Sequence, residues 1–85
     1  MVNLLSKQGN MEEIDAIWLG KFTSHLVRLM EAKGISQRKL STLSGVSLGK
    51  VHKIVHNRAN LTITTLRKLA EGLDIPTKDL LDFDE

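Results

Sequence analysis

The 85-residue chain contains no cysteine, which excludes disulfide bonds and thiolate metal ligands. No apolar run approaches membrane-spanning length, and the apolar stretch at the N-terminus is too short for a signal peptide. The sequence also lacks a recognisable set of nucleophile, base and orienting residue, and it lacks a phosphate-binding glycine loop. We therefore expect one small, soluble, cytoplasmic domain that is not an enzyme and needs no cofactor.

Acidic residues are absent from residues 32–70, a segment that contains eight Lys and Arg side chains. The formal charge is −1 over residues 1–32, +8 over residues 33–70 and −5 over residues 71–85, so the net +2 conceals a strong segregation. A basic segment can be simply a solvated surface, but it also supplies the attraction to phosphate that nucleic-acid binding requires. The pattern within the segment has to distinguish these two interpretations.

A long first helix is predicted from about Glu12 to Lys33, where Gly34 ends it. Its apolar residues recur at steps of three and four and are expected to face the core: Ile14, Ile17, Trp18, Phe22, Leu26, Leu29 and Met30. Residues 1–10 show no such period. They are predicted to form a flexible arm that precedes a domain of residues 11–85.

Four further helices and no strand are predicted after the first helix. Ser36, Ser47 and Thr62 are placed to cap helices two, three and four, and Pro76-Thr77 opens a short fifth helix. The residues expected to face inward are Leu40 and Leu43 in helix two, Val51, Ile54 and Val55 in helix three, and Ile63, Leu66, Leu69 and Ala70 in helix four. The predicted fold is a compact all-α domain of five helices.

A tight turn at Gly45-Val46 joins helices two and three, which together span about residues 36–56. Glycine can take the left-handed conformation that ends helix two, and Val46 can enter the core beneath the turn. Two short helices joined in this way, on a basic segment without acids, are expected of a DNA-binding helix-turn-helix. The charge would attract phosphate, and a helix is narrow enough to enter the major groove.

Burying the apolar side of helix three places five residues outward: Leu48, Gly49, His52, Lys53 and His56. Gly49 costs about 1 kcal/mol of helix propensity relative to alanine, which either close approach to DNA or neutral drift at a surface position would explain. His52 and His56 are four residues apart and could chelate a metal, but the sequence offers no third ligand nearby. We therefore expect phosphate contacts or solvated side chains there, and no metal site.

Residues 26–81 resemble the lambda-repressor/Cro-type helix-turn-helix family, also called the Xre family. The residues that carry the resemblance are Leu26, Lys33-Gly34-Ile35-Ser36-Gln37, Leu40, Gly45-Val46-Ser47, Val51, Ile54, Asn57, Leu66, Leu69-Ala70 and Leu73-Asp74-Ile75. The resemblance implies a transcriptional regulator, expected to be a repressor, with a lambda-repressor-like fold and an N-terminally extended first helix. It also implies a homodimer on double-stranded DNA with a pseudo-palindromic operator.

The outward face and the resemblance together predict the residues that contact DNA. The residues expected to face bases are Leu48, Gly49, His52 and Lys53, and those expected to face phosphates are Gln37, Arg38, Ser47, Lys50, His56, Arg58 and Asn60. The resemblance implies that Gln37 also braces the recognition helix. Ser41 departs from the family's usual alanine at its position, Asn57 from the usual glycine, and Leu61 from a common proline.

A protein-interaction module, such as an antitoxin or adaptor on the same fold, is the alternative interpretation. Residues 1–20 or the acidic C-terminal tail would then bind the partner. This interpretation predicts a contiguous apolar patch outside the core, for which Leu4-Leu5 is the candidate in the sequence. A homodimer contact is predicted in the C-terminal segment through Leu80, Leu81 and Phe83, because these apolar residues exceed what a short terminal segment needs for its own burial.

Overall fold

The computed structural model describes residues 11–56, 59 and 61–84. Four α-helices lie in this part of the chain, and we label them α1 (Met11–Lys33), α2 (Gln37–Ser44), α3 (Leu48–Val55) and α4 (Ile63–Leu73). A 3-10 helix over Thr77–Leu81 follows, and the described residues contain no strand. The predicted all-α class is confirmed. The predicted arm of residues 1–10, together with Asn57, Arg58 and Asn60, lies outside the described residues.

The predicted fifth helix is not an α-helix but the five-residue 3-10 helix. Pro76 precedes it without a side-chain capping bond, and the backbone N–H of Asp79 donates to the Pro76 carbonyl at 3.0 Å. So short a segment closes i→i+3 hydrogen bonds without enough residues to propagate an α-helix. None of the described helices is long and apolar enough to cross a membrane.

The core forms where the apolar sides of all five elements meet. Its buried apolar residues are Phe22, Leu26 and Met30 of α1, Leu40 of α2, Val46 of the turn, Val51 and Ile54 of α3, Leu69, Ala70 and Leu73 of α4, and Leu80 of the 3-10 helix. Most of these positions were predicted from helical spacing. Their burial removes apolar surface from water and is the main force that holds the helices together.

Three of the predicted caps are confirmed by hydrogen bonds. Ser36 Oγ accepts from the N–H of Lys39 at 3.0 Å, and Ser47 Oγ accepts from the N–H of Lys50 at 3.2 Å. Thr62 caps α4 in the same way. Each cap satisfies a backbone donor that has no partner within its helix, so the starts of α2, α3 and α4 are fixed by the local sequence.

The prediction that Ile14, Ile17 and Trp18 face the core is wrong. Their side chains are 45%, 61% and 38% exposed, and every residue from Glu13 to Trp18 is exposed. The first turns of α1 extend past the packed helices, although the apolar period of the sequence continues through them. Periodicity identifies one side of a helix, but only a neighbouring element can bury that side.

Leu43 and Ile63 were also predicted to face inward and are exposed. Leu40 and Ser44, four residues apart, are the buried positions of α2, and Leu43 lies beside that line rather than on it. Ile63 precedes the buried Thr65 by two residues, which turns its side chain to the opposite face of α4. Both errors come from assigning every apolar residue of a short helix to one face.

Helices α2 and α4 approach each other closely at Gly72. A Cβ atom at this position would lie 2.9 Å from Ser44 Cβ and 3.1 Å from Leu40 Cδ1. No larger residue fits without moving α2, because the atoms that it would meet are close to the backbone. Gly72 therefore holds the helix-turn-helix against the remainder of the domain.

The C-terminal segment packs on α1 through Phe83. The Phe83 ring centroid lies 5.2 Å from that of Trp18, 6.3 Å from that of Phe22 and 5.8 Å from that of His25. His25 Nε2–H donates to the Asp79 carbonyl at 2.7 Å, and Leu80 is fully buried. Leu80 and Phe83, which were predicted to contact a second subunit, are therefore used to complete this chain's own fold.

Candidate nucleic-acid interface

The inner side of α3 anchors this helix to the domain. Val51 and Ile54 are buried in the core, and Val55 is half-buried against it. From α1, the hydroxyl of the buried Thr23 donates to the carbonyl of Ile54 at 3.3 Å. That bond satisfies a carbonyl in the last turn of α3, where intrahelical partners run out. The helix is thus held along its length, and its opposite side faces outward.

Three hydrogen bonds hold the turn between α2 and α3. Gly45 takes the left-handed conformation with φ 79°, and its N–H donates to the Ser41 carbonyl at 2.9 Å. The Ser41 hydroxyl donates to the Val46 carbonyl at 2.6 Å, and the N–H of Val46 donates to Ser44 Oγ at 3.1 Å. The turn thus fixes α3 relative to α2 with polar contacts as well as with the buried Val46 side chain.

The roles of Ser41 and Ser44 in the turn were not predicted. Their sequence signal is two serines within five residues of a glycine turn, since serine hydroxyls often bond to nearby backbone groups. At position 41, where the family usually has alanine, the serine supplies a hydrogen bond that alanine cannot make.

The predicted base-facing residues share the outward side of α3. Gly49, His52 and Lys53 are exposed and Leu48 is half-buried at the start of the helix. At Gly49 no atom lies within 4 Å of where a Cβ would be placed, so no packing contact within the protein requires glycine there. The structure therefore brings these four residues to one accessible surface.

The predicted phosphate-facing residues that the structure describes flank this surface from two helices. Arg38, Ser47, Lys50 and His56 are exposed, and Gln37 is half-buried. Arg58 and Asn60 lie outside the described residues. In α2, Gln37 begins the helix and Arg38 follows it, so residues from both helices border the outward side of α3.

A side-chain contact connects the start of α2 to the middle of α3. Gln37 Oε1 lies 3.3 Å from His52 Nδ1, and the rings of His52 and His56 have centroids 4.2 Å apart. His56 Nδ1–H donates to the His52 carbonyl at 2.8 Å, which orients the second ring. Among the described residues, no group of three or more His, Cys, Asp or Glu side chains is placed to hold a metal ion.

The outward side of the helix-turn-helix is positively charged because residues 32–70 form it. Lys39, Lys50 and Lys53 are exposed, and the 32–70 segment contains no carboxylate to neutralise them. Arg67, on α4, is instead paired with Glu71 at 2.8 Å. The outward side of the helix-turn-helix is therefore a cationic surface with hydrogen-bond donors, suited to a polyanion.

Comparison with known proteins agrees with this geometry. A family model described as a Cro/C1-type HTH DNA-binding domain matches residues 25–85. The crystal structure of the restriction-modification controller protein C.AhdI from Aeromonas hydrophila is 37% identical with a TM-score of 0.70, over 73% of this chain and 94% of that chain.

A second similar structure is an HTH_3 family transcriptional regulator from Vibrio cholerae. It is 27% identical with a TM-score of 0.73, and the match covers 78% of this chain and 37% of that chain. The present chain thus corresponds to about a third of the Vibrio protein. No curated protein matches the sequence.

Proposed function

The chain belongs to the Cro/C1-type helix-turn-helix DNA-binding family, and on this premise we propose that it represses transcription by inserting α3 into the major groove of an operator. The observation that carries the proposal is the outward side of α3, which is cationic, free of acids and presented by a helix that is anchored from behind. A convex helix of this width fits the major groove of B-form DNA, where every base pair presents a distinct pattern of donors and acceptors.

The base-facing group of the proposal is Leu48, Gly49, His52 and Lys53. Lys53 can donate to guanine O6 and N7, and Leu48 can contact a thymine methyl group. The absence of a side chain at Gly49 lets the helix backbone come close to the base edges. His52 is oriented through Gln37: when its Nδ1–H donates to Gln37 Oε1, its Nε2 can accept a hydrogen bond from a base donor such as an amino group.

The phosphate-facing group is Gln37, Arg38, Ser47, Lys50, His56, Arg58 and Asn60. These side chains would fix the position of α3 on the duplex and release counterions, without themselves reading sequence. Lys50 belongs to this group because its position corresponds to a phosphate-facing position of the family, and its side chain is exposed. Specificity would then rest on a small number of residues, and affinity on a larger number.

A homodimer on a pseudo-palindromic operator is part of the proposal. One recognition helix covers only a few base pairs, so a single domain of this size has little capacity for specificity. Two copies that place their α3 helices in successive major grooves, about 34 Å apart, would read twice as many base pairs.

Substitution of two lysines on the same helix tests the assignment. Lys50→Ala should weaken binding to operator and random duplexes alike, whereas Lys53→Ala should lose about 1–3 kcal/mol on the operator at one position of each half-site. Fluorescence anisotropy on both duplexes measures the two effects. If both variants lose affinity equally on operator and random DNA, Lys53 does not face a base.

A protein-interaction role, as an antitoxin or adaptor, is favoured by one observation. Ile14, Ile17 and Trp18 form an exposed apolar patch on α1, outside the core, in addition to the predicted candidate Leu4-Leu5. Residues 4 and 5 lie outside the described residues. If this role were the function and DNA binding were not, the native protein would fail to bind duplex DNA even at low salt. The two roles are compatible in one protein, because the patch and the outward side of α3 use different residues.

A further inference from the structure

The N-terminal half of α1 presents an apolar surface that the family match does not include. Ile14, Ile17 and Trp18 lie at helical spacing with Lys21, and we call these four residues the α1 face. The family model begins at residue 25, so it contains none of them. Three large apolar side chains exposed together on one helix indicate a site of interaction with another protein surface.

The α1 face continues into a groove along the second half of the helix. A hollow of about 280 Å³ is lined by the four residues of the α1 face. Ile17 and Lys21 also line an adjoining hollow of about 720 Å³. Its other lining residues are Gly20, Ser24, His25 and Arg28 of α1 and Asp82, Phe83 and Asp84 of the C-terminal segment. Gly20 and Ser24 are small, so another helix could approach the α1 backbone closely at this point. This surface thus has exposed apolar residues at one end and, at the other end, a groove that could accommodate the apolar residues of another helix.

We propose that the α1 face binds the α1 helix of a second copy of this chain, with the two helices antiparallel across a two-fold axis near Ile17. The proposal rests on the homodimer of the proposed function and assigns its interface. In this arrangement, Ile14 of each copy enters the groove beside Gly20 of the other. A two-fold contact of this kind uses one surface twice, and the α1 face is complementary to its own continuation.

The charges along α1 favour the antiparallel direction. Glu13 and Asp15 lie at the beginning of the helix, whereas Lys21 and Arg28 lie further along it. With the axis near Ile17, antiparallel pairing brings Glu13 of each helix towards Lys21 of the other, whereas parallel pairing would bring Glu13 towards Glu13. The charge pattern therefore selects a second copy in one orientation.

The C-terminal segment is a poorer interface because its apolar residues are already used. Leu80 is fully buried, and Phe83 packs on Trp18, Phe22 and His25 of its own chain. In the 3-10 helix Leu81 is the large apolar residue that remains exposed. The α1 face offers three such residues on one surface, together with a groove.

The expected dimer is weak in the absence of DNA. A contact between two short helix segments is smaller than the roughly 1,200 Å² at which stable protein interfaces begin. Two half-sites on one duplex would raise the effective concentration of the two copies and so tighten the contact. Free protein should therefore associate only at high concentration, and binding to a full operator should be cooperative.

Sedimentation equilibrium of the full chain without DNA tests the interface directly. The native mass should rise towards that of a dimer with concentration, and Ile17→Asp should weaken the association at least tenfold. Ile63→Asp is the matched control, because Ile63 is even more exposed than Ile17 and lies on α4. The control should associate like the native protein.

Disulfide trapping gives a second test, because the native chain contains no cysteine. Ile17→Cys should form a covalent dimer on mild oxidation, since residues near a two-fold axis come within the distance that a disulfide requires. Ile63→Cys, oxidised in parallel, should remain monomeric. Equal cross-linking of the two variants would reflect random collision and would contradict the proposal.

Other results would also overturn the proposal. A native protein that stays monomeric at millimolar concentration has no self-association at this surface, and equal weakening by Ile17→Asp and Ile63→Asp would place the contact elsewhere. A fall in the thermal stability of the monomer with Ile17→Asp would mean that the chain itself covers the α1 face. Binding to a duplex with a single half-site distinguishes failure of this interface from failure of the proposed function. Native protein and Ile17→Asp should bind this duplex with the same affinity, because one copy suffices. If neither protein binds it, DNA binding is refuted, but the interface is not.

Discussion

The helix-turn-helix and the first half of α1 expose side chains of opposite character. The outward side of α3 carries exposed cations from a segment without acidic residues, whereas Val51 and Ile54 on the inner side of this helix are buried. The first half of α1 carries acids, and three of its apolar residues are exposed. One surface is suited to a polyanion and the other to an apolar protein surface. The two surfaces therefore differ in charge as well as in position.

The two regions also differ in how many contacts fix their conformation. Capping serines, a left-handed glycine and the contact at Gly72 fix the helix-turn-helix. In the first turns of α1 every residue from Glu13 to Trp18 is exposed, and the ring contact of Trp18 with Phe83 joins them to the C-terminal segment. A rigid region suits a surface that must match a preformed DNA groove, because little conformational entropy is lost on binding.

Salt dependence is expected to give the largest effect. If each of two subunits neutralises about four phosphates, the slope of log affinity against log salt is about −7, and raising salt from 50 to 200 mM should lower affinity about 10⁴-fold. Lys50→Ala should reduce this slope by about 1. Lys78→Ala is the matched control on the 3-10 helix and should leave it unchanged. Equal effects of the two substitutions would mean that phosphate contacts are not confined to the outward side of α3.

Two helical glycines should respond oppositely to alanine. Gly72→Ala should destabilise the fold by about 1–3 kcal/mol, because the new methyl group overlaps Ser44 and Leu40. Gly49→Ala should stabilise it by up to about 1 kcal/mol, because the site is open and alanine favours helix. Urea unfolding of both variants measures the free energies.

Gly49→Ala also sharpens the assignment of the α3 surface. If the backbone approaches DNA closely at this residue, the stabilised variant should bind its operator about tenfold more weakly, or about 1.4 kcal/mol. Unchanged affinity would show that glycine at this position serves no contact with DNA.

Ser41→Ala should cost about 0.5–1.5 kcal/mol, because it removes the hydrogen bond to the Val46 carbonyl. Thr42→Ala is a suitable control, since the Thr42 hydroxyl donates to the Arg38 carbonyl from an exposed position within the same helix. Thermal unfolding should show the larger loss for Ser41→Ala. If Ser41→Ala were as stable as native protein, the side-chain bond would not hold the turn.

Asp74→Gly should give the smallest effect, a stabilisation of about 0.5–1 kcal/mol. Asp74 ends α4 with φ 59°, a left-handed conformation that costs a residue with a side chain about 1 kcal/mol or more. Its carboxylate also lies at the negative end of the helix dipole. Asp74→Ala removes the charge but keeps the strained backbone, so it should be less stable than Asp74→Gly. The reverse order would contradict this reasoning.

Much of the fold could be predicted because it is encoded locally. Serine or threonine caps, Gly45 and the apolar spacing of α3 and α4 act within one or two turns of a helix, so the sequence alone locates the helix starts and most buried residues. The outward side of α3 follows from the same spacing. The close contact at Gly72 depends on two helices that are distant in sequence, so no local sequence pattern predicts it.

The errors have the same physical origin. Ile14 and Trp18 continue the four-residue steps of Phe22, Leu26 and Met30, which predicts burial, but both are exposed because burial requires a neighbouring element that periodicity does not supply. The expected surplus of apolar residues in the C-terminal segment is likewise smaller than predicted, because Phe83 packs against three rings of its own α1. Contacts between distant segments decided both cases.

Selection of bound duplexes from a random DNA pool, with native protein and Lys53→Ala compared, tests whether α3 reads the DNA sequence. The native protein is predicted to enrich a pseudo-palindromic consensus with half-site centres about one helical turn apart. Lys53→Ala is predicted to enrich the same consensus with one position of each half-site relaxed. No enrichment by the native protein, or an identical consensus from both proteins, would contradict the account of α3 as the helix that reads DNA.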